Sequence, residues 1–157
     1  MFYDLKDPDL FVKDIKKNLH FDGIFILEHA DLLSIVKNCL FDTICHEHLE
    51  YYSSKIIINL MKKNKLKVFN MKSNDINGGS MCYFICHEKS KFKSNTKKID
   101  SVLREEKKYK LENSIVFNKF FKRINKIGDQ LRRLIKRINL NNKKIHGYGA
   151  STKGNVL

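Results

Sequence analysis

Residues 65–88 read KLKVFNMKSNDINGGSMCYFICHE. The flanks of this stretch, KLKVFNMKS (65–73) and SMCYFICHE (80–88), are rich in aromatic and branched side chains that favour extended backbone. Between them Asn77-Gly78-Gly79 supplies residues that enter left-handed turn conformations at little cost. Two strands follow, and they can pair as a hairpin.

Upstream, Pro8 suits the first turn of a helix, and Leu10, Phe11, Ile15 and Leu19 recur at helical spacing. HFDG breaks that pattern, IFILEHA (24–30) reads as a buried strand, and a short helix spans roughly Leu32–Cys39. Helix, strand and helix over residues 1–40 predict one edge of a parallel sheet. SKIIINLMKKN (54–64) predicts a further helix, with Ser53 or Ser54 as its cap. Downstream, Phe117, Phe120, Phe121, Ile124, Ile127, Leu131, Leu134, Ile135 and Ile138 recur every three or four residues. They predict one long helix near 114–139, with Phe120, Ile124, Leu131 and Ile135 buried. A short strand at Lys144–Tyr148 should then meet the turn Gly147-x-Gly149-x-x-x-x-Gly154, a pattern suited to holding an anion at a helix start. The first strands of a β-α-β sheet are absent before residue 1 and the rest of a sheet is absent after residue 157, so the chain reads as cut at both ends.

Composition excludes several classes. The 157 residues are 42% hydrophobic, which is enough to bury a core. No apolar run approaches the ~20 residues of a membrane-spanning helix. The start, MFYDLKDPDL, lacks the basic and apolar regions of a secretory signal. A cytoplasmic setting follows, with Cys39, Cys45, Cys82 and Cys86 as free thiols. The net charge of +14 belongs to one segment. Residues 1–88 carry 11 Lys/Arg against 12 Asp/Glu, whereas residues 89–144 carry 19 against 5. Because 26 of the 31 basic residues are lysine, this reads as a solvated helix face. Nucleic-acid binding would favour arginine forks and interleaved aromatics, so neither nucleic acid nor membrane is expected as a partner.

The remaining signal is FDTICHEHLEYYS (41–53), which sets His46, Glu47 and His48 side by side. On residue types alone a His-x-His triplet suits a surface loop, a partial metal site or a base. A zinc set of His46, His48, Cys82 and Cys86 lacks the usual ligand spacing, and the two cysteines read as small core residues.

Taken together, DGIFILE, FDTICHEHLEYYS, DINGGSMCYFICHE and HGYGASTKGNVL resemble, in order and spacing, the S-adenosylmethionine-dependent C-methyltransferases that act on nucleotide-linked sugars. The resemblance implies an α/β fold. Residues 1–51 would be the end of a Rossmann-type methyltransferase domain, and residues 52–157 an incomplete Rossmann-like C-terminal domain with a long helix. It implies methyl transfer to carbon 3 of a 4-keto deoxysugar through an enolate, with His48 as general base and Glu47 orienting it or binding the sugar. Neighbours in extended chain point to opposite sides, so that turn must be irregular if both act on one substrate. Cys45, His46, Asn77, Gly78, Gly79 and Ser80 would lie beside the sugar nucleotide, and Ser151 and Lys153 would hold its diphosphate. No metal is implied in this region.

Three departures accompany the resemblance. The glycine-rich turn and the acidic residue that would hold S-adenosylmethionine are absent, and so is the family's cysteine cluster. Cys45 stands where the motif commonly has tyrosine; a thiol is a weak donor for an enolate oxygen. On these residues alone the chain reads as inactive. It would be a fragment or subunit completed by a chain that supplies the N-terminal half. The alternative is a sugar-nucleotide-binding or scaffolding module without catalysis.

Overall fold

A computed structural model of the chain describes residues 2–147 and Gly149. The hairpin forms as the turn chemistry dictates. Strand β2 (Leu66–Asn74) and strand β3 (Ser80–His87) pair antiparallel, from Leu66 opposite His87 to Asn74 opposite Ser80. Strand β1 (Phe25–Ala30) takes the other edge of β3, also antiparallel, with Phe25 opposite Ile85 and Ala30 opposite Ser80. The sheet order is therefore β1-β3-β2.

This corrects the expected parallel edge. β1 and β2 do run in one direction, as a β-α-β crossover requires. The tight Asn77-Gly78-Gly79 turn, however, folds β3 back between them, so each finds an antiparallel neighbour. Nor do residues 144–147 form the expected final strand.

Helix α1 (Pro8–Asn18) starts where Asp7 accepts the Leu10 N–H at 2.9 Å, with Pro8 in its first turn. Helix α2 (Leu32–Asn38) is capped by Asp31, and helix α3 (Ser54–Lys63) by Ser53. Helix α4 (Thr96–Tyr109) and helix α5 (Ser114–Leu140) complete the chain. The main core gathers Val12 from α1, Ile57 and Met61 from α3, and Leu27, Val68, Met71, Tyr83 and Ile85 from the sheet. Residues on both sides of position 51 share it. β3 is the central strand and is buried along most of its length, Cys82 and Cys86 included, hence its nearly unbroken apolar run.

Helix α5 departs from expectation along half its length. Phe120 is buried and Ile124 half-buried, but Leu131 is 49% and Ile135 39% exposed. The reason is reach. Twenty-seven residues extend about 40 Å, whereas the supporting α2 has seven. Among the described residues no helix is long and apolar enough to cross a membrane.

The core also encloses polar groups. Glu106 of α4 accepts the backbone N–H groups of Ser54 and Lys55, at 2.5 and 3.1 Å, and so caps α3 from another helix. His29 is 4% exposed among the rings of Phe2, Tyr52 and Tyr83. Its Nδ1 lies 2.8 Å from the Ala30 carbonyl and must donate, which leaves Nε2 as a buried lone pair without a partner. Burial holds this imidazole below its ordinary value of 6.5, outweighing the Ala30 carbonyl and the Asp31 carboxylate. The fold therefore prefers neutral His29. Its contribution is present above pH about 6.5 and is lost as pH falls through the depressed folded value. Thermal melts of wild type should lose stability from pH 7 toward pH 5, and His29→Phe should flatten that decline. Parallel curves for the two proteins would refute this account.

Candidate active site

The HEH stretch hangs from the end of α2. That helix stops at Cys39, which takes the left-handed conformation (φ 57°, ψ 46°), and the Leu40 N–H returns to the Ile35 carbonyl. A single 3-10 turn, Phe41–Thr43, follows. The chain then makes a turn in which the His48 N–H donates to the Cys45 carbonyl at 3.2 Å. The next two amides, of Leu49 and Glu50, both donate to the Tyr3 carbonyl, at 3.0 and 3.1 Å. The Tyr51 hydroxyl reaches back toward the Thr43 carbonyl at 3.4 Å.

Within this turn the side chains separate. His46 and Glu47 are exposed, while Cys45 and His48 are half-buried. The His48 ring lies 4.2 Å, centroid to centroid, from the Tyr3 ring and 6.1 Å from the Tyr51 ring. Among the described residues no hydrogen bond joins Glu47 to His48; the ring neighbours of the imidazole are Tyr3 and Tyr51. Burial raises the Tyr3 hydroxyl above its ordinary value, helped by Asp4 and Cys45. Burial also raises Tyr51, opposed by a hydrogen bond with the Cys45 backbone. Both phenols therefore stay protonated at neutral pH.

The glycine turn packs against the same helix. Asn77 (φ 53°), Gly78 (φ 86°) and Gly79 (φ 144°) all have positive φ. The Gly78 carbonyl accepts from the Asn38 side chain at 3.2 Å, and the Gly79 carbonyl from the Asp31 N–H at 3.2 Å. The Ser80 hydroxyl is buried and donates to the Ile76 carbonyl, so it braces the turn rather than facing outward. Asn77 and Gly78 are exposed. A Cβ on Gly79 would lie 2.5 Å from the Ser34 Cβ, and one on Gly78 2.8 Å from the Leu40 side chain. Leu40 is also the residue from which the HEH stretch departs, so α2 and its C-terminal residues anchor both candidate segments. Gly79→Ala should destabilise the chain by about 2 kcal/mol, read in denaturant unfolding; a change under ~0.5 kcal/mol would mean that the turn relaxes freely.

Ser151 and Lys153 lie outside the described residues. No group of three or more His, Cys, Asp or Glu side chains among the described residues could hold a metal ion. The set His46, His48, Cys82 and Cys86 is thus not assembled, because Cys82 and Cys86 are buried in β3 while His46 faces solvent.

Residues 75–157, more than half of the chain, match the family described as C-methyltransferase C-terminal domain, and the chain belongs to that family. It is similar to C-methyltransferase NovU of Streptomyces niveus, at 30% identity over 136 residues that make up 87% of this chain and 32% of that protein. The chain thus spans about a third of the length of the curated relative it matches.

The family's methyl donor, S-adenosylmethionine, does not fit the described residues. Such a cofactor needs glycines where a strand turns into a helix. β1 passes to α2 through Asp31, and β3 passes to α4 through residues 88–95, neither with a glycine. Calorimetry on the isolated chain should give no micromolar affinity for S-adenosylmethionine; such affinity would reveal a cradle formed by other residues.

Proposed function

We propose that the chain forms part of an S-adenosylmethionine-dependent C-methyltransferase that methylates carbon 3 of a nucleotide-linked 4-keto deoxysugar. A partner or further segment that carries the methyl donor would complete it. The observation that carries this reading is the seating of His48. It is a half-buried imidazole on a closed turn, with two tyrosine rings as neighbours, in a chain of the C-methyltransferase family.

A carbon next to a ketone becomes a nucleophile once its proton is removed. In this reading a ring nitrogen of neutral His48 takes the proton from carbon 3. The C–H bonding pair becomes the C3–C4 double bond, and the carbonyl pair moves to the C4 oxygen. A neutral imidazole has the right basicity for this near pH 7. Exposed Glu47 and His46 would contact the sugar hydroxyls, the Asn77–Ser80 turn would border the sugar nucleotide, and Ser151 and Lys153 would meet its diphosphate.

The test separates proton removal from methyl transfer. The chain is incubated in D2O with a thymidine-diphosphate-linked 4-keto-6-deoxyhexose and no methyl donor, and NMR follows the carbon-3 proton. Loss of that signal faster than in buffer is expected. Exchange no faster than in buffer would overturn the assignment of the base to this chain.

A further inference from the structure

Tyr3 lies outside every motif that pointed to the site, yet it is the residue most tightly joined to His48. Its ring is 8% exposed and sits 4.2 Å from the imidazole with an interplanar angle of 54°. Its carbonyl accepts both amides that follow His48. Its own position is fixed from behind, because Phe2 is buried against Phe11, His29 and Tyr52. One residue thus links the core to the turn through its backbone and to the base through its ring.

We propose that Tyr3 is a positioning residue for His48, its phenol ring holding the imidazole in the orientation that base catalysis requires. The proposal rests on the reading of His48 as general base. An imidazole on a solvent-facing turn otherwise exchanges among rotamers within nanoseconds. A large aromatic neighbour with few internal rotations restricts it at low entropic cost. The two amide bonds to the Tyr3 carbonyl are main-chain bonds and survive replacement of the side chain. The substitution therefore removes the ring and leaves the turn.

The experiment uses the whole chain with 13C-labelled histidine, the His48 signals being assigned by their loss in His48→Gln. In wild type, strong nuclear Overhauser effects should connect the Tyr3 and His48 ring protons, and their absence overturns the proposal with no variant needed. Tyr3→Leu should move the His48 ring protons by several tenths of a ppm as the ring current disappears, and should slow carbon-3 exchange on the same probe sugar about tenfold. Tyr3→Phe should keep both the shifts and the rate. Unchanged His48 signals in Tyr3→Leu would refute the clamp, and so would a Tyr3→Phe variant as impaired as Tyr3→Leu. If wild type shows the ring contacts but no exchange, the assignment of His48 as base fails while the clamp stands.

Discussion

His48→Ala should lower the rate of carbon-3 exchange, and of methyl transfer in a completed enzyme, by about 10²–10⁴-fold, the usual share of a positioned base. The substitution should leave the fold intact. His48 is only half-buried, and the bonds that close its turn run through backbone atoms of Cys45, Leu49, Glu50 and Tyr3. Water entering the vacated space is a poor base at neutral pH, so the loss should fall on proton removal and not on substrate binding. Added imidazole should restore part of the rate in His48→Ala. NMR exchange without methyl donor is the decisive measurement, because it excludes every later step. A rate unchanged by the substitution would make His48 structural and turn attention to His46 and Glu47, the exposed neighbours.

The parts of the fold that local chemistry controls were legible in the sequence. Asn77-Gly78-Gly79 announced the hairpin, and three consecutive positive φ values explain why those residues stand there. Pro8 opening α1 and a serine cap for α3, at Ser53 or Ser54, followed from the same local rules, and the structure uses Ser53. Strand order was not legible. β1 and β2 are separated by two helices in the order expected of a parallel unit, and only the return of β3 between them decides the pairing. Nothing within β1 records that its neighbour is 54 residues away, as Glu28 is from Cys82. The site divides the same way. HEH stood out by residue type and NGGS entered the site through the family resemblance, whereas Tyr3 contributes through a contact across 45 residues, and a tyrosine in a short N-terminal turn carries no local mark of that. Glu106, which caps α3 from a distant helix, looked like one more charge in a Lys-rich stretch.

The long helix supplies the other large effect. Phe120→Ala should destabilise the attachment of α5 by about 3 kcal/mol, the lower part of the range for a fully buried aromatic, whereas Leu131→Ala should change stability by less than ~0.5 kcal/mol. Both belong to one apolar stripe, eleven residues apart, and periodicity alone treats them as equals. Their surroundings differ. Phe120 is 3% exposed and fills the space beside Ile35 and Cys39, while Leu131 is 49% exposed. Near Phe120, Arg123 donates to the Val36 and Lys37 carbonyls at 3.0–3.2 Å, which caps the C-terminal end of α2. Val116 and Phe117 pack on Leu33, Val36 and Leu111. α5 is therefore held along its first three turns and bare beyond them. Loss of Phe120 should appear as faster hydrogen exchange along the whole of α5, since its anchors act together. In Leu131→Ala, exchange should stay slow in the first turns. Equal costs for the two variants in denaturant unfolding would mean that the far half of the stripe is covered in solution, and the contrast drawn from exposure would fall.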